Sequence, residues 1–271
     1  MTVKEKKAKL ENYLKDLKKV AVAYSSGVDS TLLLKVAYDT LGKDNVIAVT
    51  AVSPFFPKKE TTEAVEFCKE LGIRHFFVET DEMQIEGFAE NPPDRCYICK
   101  TALFTRLINV AKENGMEYVC EGSNMDDLSD YRPGLKAIAE LGVKSPLRFS
   151  ELYKSEIREL SKELNLPTWK KQSFACLASR FVYGEYITAE KLGMVEKAED
   201  YLREMNFTQL RVRIHDKLAR IEVAPDEFDK IMPKAKEIND YLRSLGFMYV
   251  TLDLGGYTMG SMNRALGIEN N

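Results

Sequence analysis

From Lys19 to Leu147, short apolar runs alternate with longer amphipathic ones. KVAVAYSS is followed by STLLLKVAYDTLG, NVIAVTAVS by KKETTEAVEFCKELG, RHFFVETD by CKTALFTRLINVAKENG, and MEYVCEGSN by PGLKAIAELG and VKSPL. This alternation predicts strands joined by crossover helices, and therefore an α/β fold with a doubly wound parallel sheet. Gly42, Gly72 and Gly115 stand just past the last periodic residue of three helical runs, where a left-handed cap closes a helix.

Beyond Phe149 the segment SELYKSEIRELSKELNLP predicts one more helix, with Ser150 as its N-cap. TWKKQSFACLASRFVYGEY then loses all periodicity and reads as a long functional loop near a domain junction. After Thr188 the order changes to a helix (AEKLGMVEKAEDYLREMN), two strands (QLRVRIHD and LARIEVAP), a helix (EFDKIMPKAKEINDYLRSLG) and a strand (YVTLDLGGY). That order predicts a second, smaller α+β domain with an antiparallel or mixed sheet. The expected division is residues 1–181 and 182–271. A length of 271 residues suits one large and one small domain.

Bulk properties narrow the function classes. No apolar run approaches the roughly 20 residues that cross a bilayer, and the start MTVKEKKAKLENYLKDLKK lacks the apolar stretch of a signal peptide. The expectation is a cytoplasmic protein without a membrane partner. A net charge of −3 with dispersed Lys and Arg argues against a broad nucleic-acid surface and favours a small anionic partner. Five cysteines, an odd number, point to ligands, catalytic groups or buried thiols rather than structural disulfides.

The sharpest chemical signal is Ser25-Ser26-Gly27-Val28-Asp29-Ser30, between the first strand and the first long helix of the alternating region. Small residues let the backbone approach an anion, which free N–H groups and the helix dipole then stabilise. An ordinary Ser/Asp-rich N-cap turn has the same composition. The two commonest phosphate-loop patterns, G-x-x-x-x-G-K-[ST] and G-x-G-x-x-G, are absent. Arg211 and Arg213 alternate with Val212 and Ile214, so both guanidinium groups share one strand face. They suit a phosphate clamp, or simply a solvated face. Cys96 and Cys99 form a C-x-x-C pair that reads as cluster ligands, a redox pair or half a zinc site. Cys68 and Cys120 fall in helical and strand patterns and read as packing residues, and His75 and His215 have no metal-type neighbour in sequence.

The Ser25–Ser30 loop resembles the SGGxDS signature of the PP-loop ATP pyrophosphatases, with Ser26 where those enzymes often carry glycine. Gly122-Ser123-Asn124-Met125-Asp126-Asp127 is similar to a GxNxDD segment of that superfamily. PPDRCYICK, Ala175-Cys176-Leu177-Ala178-Ser179-Arg180, the RVRIHD and ARIEV pair and GGYTMGSMN resemble the LarE-type sulfur transferases, so the likeness spans essentially the whole chain.

The resemblance implies ATP and Mg2+, cleavage between the α- and β-phosphates, and AMP passed to a carboxylate of a pyridinium dicarboxylate mononucleotide, a precursor of the nickel-pincer nucleotide. It implies that Ser25, Ser26, Gly27, Asp29, Ser30, Gly122, Asn124, Asp126 and Asp127 hold ATP and that Arg211 and Arg213 hold a phosphate. Cys176, with Ser179 and Arg180, becomes the expected sulfur centre, Arg180 stabilising a thiolate or binding phosphate. In the sacrificial version the Cys176 thiolate gives up its sulfur and leaves dehydroalanine. In the three-cysteine version Cys96, Cys99 and Cys176 bind three irons of a 4Fe-4S cluster with one iron open. Glu199, Glu222 and Asp229 match positions that bind a metal or shape the substrate site, and ordinary carboxylates remain the alternative. A homo-oligomer, a trimer or hexamer, is also implied. The rivals are tRNA thiolation, ATP-dependent amide synthesis and a nucleotide-binding module without chemistry.

Overall fold

The computed structural model describes residues 1–55, 58–129, 133–172, 175–207, 209–258 and 260–267. Ser173 and Phe174 of the aperiodic loop and Met259 of the terminal motif lie outside these. Two compact units emerge, Met1–Glu82 with Cys96–Phe174, and Met83–Arg95 with Ala175–Asn271.

The first unit is a parallel sheet in the order β3-β2-β1-β4, with β1 Val20–Ala23, β2 Val46–Val52, β3 Arg74–Glu79 and β4 Tyr118–Cys120. Its helices are α1 Val3–Leu17, α2 Val28–Leu41, α3 Lys58–Leu71, α4 Arg95–Glu113, α5 Gly134–Glu140, α6 Pro146–Phe149 and α7 Lys154–Glu163. Side chains of β1 alternate between two cores, as the two-residue period of a strand requires. Val20 and Val22 pack with Leu10, Leu14 and Leu33 on one face, and Ala21 packs with Ile47, Leu107 and Ala111 on the other. Both faces are covered, which is the doubly wound arrangement expected from the alternation. Gly42, Gly72 and Gly115 have φ of 80°, 68° and 71°.

The second unit contains α8 Ala189–Glu204, β5 Leu210–His215, β6 Leu218–Val223, α9 Phe228–Ile231, α10 Ala235–Ser244 and β7 Tyr249–Leu252. Its sheet runs β5-β6-β7, antiparallel between β5 and β6 and parallel between β6 and β7, so it is mixed.

Two local expectations are corrected. Ser150 does not start a helix; it caps the C-terminus of α6, and α7 begins only at Lys154, where Glu156 accepts from the Tyr153 amide at 2.9 Å. The segment 227–246 is not one helix. Pro233 cannot donate to the preceding turn, and a 3-10 turn at Met232–Lys234 separates α9 from α10. Among the described residues no helix is long and apolar enough to cross a membrane.

Candidate functional site

In the first unit, β1 is flanked by β2 on one side and β4 on the other. The chain leaves β1 toward β2 and returns later to β4, so the strand order reverses at β1 and β4. A crevice at the carboxyl ends of such strands is where open α/β sheets bind ligands. Ser25–Ser30 follows β1 and Gly122–Asp127 follows β4, which brings the two expected nucleotide segments to this one place.

The first loop is held open by its own hydroxyls. Ser30 Oγ accepts from the Ser25 amide at 3.3 Å and lies 3.2 Å from Ser25 Oγ, while Gly27 is the N-cap of α2 and has no side chain to fill the end of the helix. Amides of the first turn are thereby left for an anion. Ser26 has φ of 51°, a left-handed conformation that favours glycine. Its hydroxyl bonds the Glu60 carbonyl at 3.0 Å and the Glu60 carboxylate at 2.8 Å, which offsets the strain.

Gly122 makes the second loop fit. A Cβ there would lie 3.2 Å from both Asp29 Cβ and the Ser30 amide nitrogen. Asn124 Nδ2 donates to Asp29 Oδ1 at 3.2 Å, and Asn124 Oδ1 accepts from the Asp126 amide at 2.9 Å. Asp127 accepts from the Asn124 amide at 2.9 Å and Asp126 from the Lys154 amide at 2.6 Å, so both acidic residues shape the loop and start α7. Glu121, buried, accepts from the Ser123 amide and hydroxyl at 2.9 and 2.7 Å and from the Ser145 hydroxyl.

Two cations flank this crevice that the sequence reading passed over. Lys154 pairs with Asp29. Lys171 reaches the Ser26 carbonyl at 3.1 Å and Glu60 at 2.6 Å, and it also pairs with Glu63. Lys154 sits in a helical pattern and Lys171 in a loop without period, so neither carried a signal of its own. The spacing of Glu60 and Glu63, on one face of α3, was the available hint.

The cysteines fall in different surroundings. Cys96 and Cys99 occupy the first turn of α4, three residues apart and so on one face; Cys96 is exposed and Cys99 half-buried. Cys176, half-buried, is the N-cap of the 3-10 turn Leu177–Arg180. Cys68 and Cys120 are buried, and burial pushes the Cys68 thiol up to about 12 and raises that of Cys120 as well. Among the described residues no group of three or more His, Cys, Asp or Glu side chains is arranged to hold a metal ion.

In the second unit, arginines frame the Cys176 turn. Arg180 is fully buried; its Nη1 donates to the carbonyls of Ala175 at 3.0 Å and Cys176 at 3.3 Å, and to Ser179 Oγ at 2.9 Å. Its other edge grips Glu199 bidentately at 2.7 and 2.8 Å. Arg213 donates to the Ser179 carbonyl at 2.9 Å and to Glu222 at 2.9 and 3.1 Å. Arg95 donates to the Ala178 carbonyl at 2.9 Å and to Asn91. With these partners Arg180 organises the backbone that carries Cys176 and Ser179.

Glu199 also accepts from Arg203 at 2.6 Å and from the Val212 amide at 3.0 Å, and Glu222 from Arg220 and Ser261 at 3.1 and 2.9 Å. Both carboxylates are thus committed to guanidinium, amide and hydroxyl donors, and Asp229 is exposed on α9. Desolvation opposes the charge of Glu199, but Arg180 and Arg203 outweigh it and hold its pKa low. Arg211 shares its strand face with Arg213 and lies 5.1 Å over the Tyr257 ring. Burial, then the neighbouring Arg180 charge, lowers its pKa.

The likenesses to known proteins span nearly the whole chain. Residues 2–103 match the NAD synthase family model. The chain is 45% identical over 264 residues to an uncharacterized protein of Synechocystis sp., covering 96% of this chain and 98% of that one. It is 42% identical over 265 residues to the pyridinium-3,5-bisthiocarboxylic acid mononucleotide synthase of Lactiplantibacillus plantarum, covering 98% of this chain and 96% of the synthase. One component of the glutamine-hydrolyzing GMP synthase of Archaeoglobus fulgidus is 29% identical over 219 residues, 72% of this chain and 69% of that component.

The buried Arg180–Glu199 pair yields a signed prediction. Arg180→Met removes the bidentate partner of Glu199 and leaves that buried carboxylate with only Arg203 and the Val212 amide, which is expected to cost about 3 kcal/mol at neutral pH. Because the wild-type Glu199 pKa is lowered, its pairing stabilises the fold above the ordinary carboxylate value of 4.5 and is lost as pH falls through the lowered value. The deficit of the variant therefore shrinks on acidification, as protonation removes the under-compensated charge. Urea unfolding followed by circular dichroism at neutral and acidic pH measures it; a deficit independent of pH contradicts the pairing.

Proposed function

The chain belongs to the LarE-type family of PP-loop proteins that includes the pyridinium-3,5-bisthiocarboxylic acid mononucleotide synthases, and from that premise we propose that it is an ATP-dependent sulfur transferase. It adenylates a carboxylate of a pyridinium dicarboxylate mononucleotide and converts it to a thiocarboxylate. The observation that carries this reading is the open, glycine-capped start of α2 meeting the Gly122 loop at the point where the strand order reverses.

In this reading ATP lies over Ser25–Ser30 with Mg2+ on its phosphates. A substrate carboxylate oxygen attacks the α-phosphorus, and the bond from that phosphorus to the pyrophosphate oxygen breaks. Amides of the loop and the α2 dipole stabilise the charge that develops on the departing pyrophosphate, which is where preorganised donors contribute most. Asn124 and Gly122 keep Asp29 and the first turn of α2 in place. A sulfur nucleophile then adds to the acyl carbonyl, and AMP leaves with the original carboxylate oxygen.

Arg211 and Arg213 act on the substrate phosphate through the field of their strand face, with Arg213 committed directly to Glu222 and the Ser179 carbonyl. Arg180, Arg213 and Arg95 position the Cys176 turn by holding its carbonyls. Glu199 and Glu222 keep those guanidinium groups oriented. Asp229 remains a candidate metal or substrate-site ligand from the family likeness alone.

Cys96, Cys99 and Cys176 are the three thiols outside the cores, and three soft donors suit a 4Fe-4S cluster. When bound, that group supplies a transferable sulfide at the iron that lacks a cysteine. Without it, Cys176 is itself the donor: its thiolate attacks the carbonyl, the Cα proton is lost, the Cβ–S bond breaks and dehydroalanine remains. In this reading the protein acts as a cytoplasmic homo-oligomer, a trimer or hexamer, with a small nucleotide as its partner.

Pyrophosphate release is expected to require both ATP and the pyridinium dicarboxylate mononucleotide; no release with both present contradicts adenylation. Protein purified and reconstituted without oxygen is expected to carry about four irons per chain, lost in Cys96→Ala. Iron-free protein that instead loses the mass of hydrogen sulfide at Cys176 after one turnover assigns the sacrificial route.

A further inference from the structure

Lys171 stands in an arrangement that the reaction outlined above leaves unused. Its ammonium touches the PP-loop itself, at the Ser26 carbonyl at 3.1 Å and hydroxyl at 3.3 Å. Two carboxylates of α3 hold it there, Glu60 at 2.6 Å and Glu63, and Glu60 also accepts from the Ser26 hydroxyl at 2.8 Å. Lys59 approaches Glu63 only at 4.0 Å and is largely exposed, so Lys171 is the close cation of both carboxylates, which lie beside the very loop whose amides suit an anion. The Lys171 side chain keeps 21% of its surface, so its end is not sealed in.

A phosphate group entering the loop meets these carboxylates as like charges and Lys171 as the nearest opposite charge on that side. Two glutamates near an incoming anion cost binding energy unless the cation between them turns toward the anion. Lysine suits such an exchange, because its four-carbon stem carries a point charge that can rotate between partners without the planar constraint of a guanidinium. Ser26 is the pivot. With glycine at this position the Glu60 carboxylate would lose its hydroxyl anchor and would be free to follow Lys171.

Building on the ATP reading of this loop, the geometry points to Lys171 as the residue that distinguishes ATP and pyrophosphate from AMP. Glu60 and Glu63, anchored by Ser26, hold the ammonium at rest and surrender it to the pyrophosphate end of the nucleotide. AMP, which lacks that end, gains nothing from the exchange. Glu60 and Glu63 thus set the affinity for ATP by competing for the same cation, a differential effect that only a ligand with β- and γ-phosphates experiences.

Calorimetric titration of the full chain with ATP, inorganic pyrophosphate and AMP, each with excess Mg2+, tests this. Lys171→Met is expected to weaken ATP and pyrophosphate about tenfold or more, the scale of one lost charge-assisted contact, with AMP within about twofold of wild type. Glu60→Gln, which keeps Lys171 and removes its competitor, is expected to tighten ATP and pyrophosphate but not AMP. The double variant Lys171→Met/Glu60→Gln removes the unbalanced carboxylate left by Lys171→Met alone, and its ATP affinity is expected to stay low. Equal weakening of ATP and AMP in Lys171→Met, restoration of ATP affinity in the double variant, or an ATP affinity unaffected by Glu60→Gln overturns the assignment. Wild-type protein that binds neither ATP nor AMP overturns the ATP reading itself, whereas normal wild-type binding confines any failure to Lys171.

Discussion

The first unit turns on a contact too close for any side chain. A Cβ on Gly122 would stand 3.2 Å from the Ser30 amide nitrogen, so the loop after β4 lies directly on the first turn of α2. This approach joins two segments separated by more than ninety positions in sequence, and the Asn124 bond to Asp29 completes it. The glycine-capped start of α2, the turn of Asp126 that starts α7 and the Lys154 pair with Asp29 all take their places from it. Parallel pairing of β1 with β4 brings the two loops to the same edge, and glycine lets them meet.

Charge organises the second unit differently. Arg180, Arg213, Glu199 and Glu222 are buried, a costly state for ions unless each is paired and bonded. They are paired, and the donors left over go to carbonyls of Ala175, Cys176 and Ser179. The cysteine turn is therefore fixed by its backbone, with the sulfur left half-buried. A side chain on an irregular turn needs such support to hold one position, since no strand ladder or long helix defines it.

Much of this was legible in the sequence, for reasons that differ by residue. The sheet was legible because fully covered strands such as β1 and β2 read as continuous apolar runs between helical patterns. The place of Ser25–Ser30 between a strand and a helix was legible because an apolar run ends there and an amphipathic one begins. Ser150 misled because the short helix α6 and its cap share the residues of a helix start, and Pro233 broke a pattern whose apolar period runs straight through it. The buried pairing of Arg180 with Glu199 was not legible, since nothing in the sequence marks which carboxylate the fold brings to a guanidinium. Lys154 and Lys171 were hidden for a related reason: only the fold shows that Asp29, Glu60 and Ser26 lie beside them.

The central claim is that a substrate carboxylate oxygen becomes bonded to the α-phosphorus of ATP. The most direct measurement starts from pyridinium dicarboxylate mononucleotide labelled with oxygen-18 in its carboxylates, followed by mass spectrometry of the AMP formed in one turnover. AMP carrying one oxygen-18 is the predicted result, because sulfur displaces the adenylate with the carboxylate oxygen attached. Unlabelled AMP, formed alongside thiocarboxylate, would contradict the account.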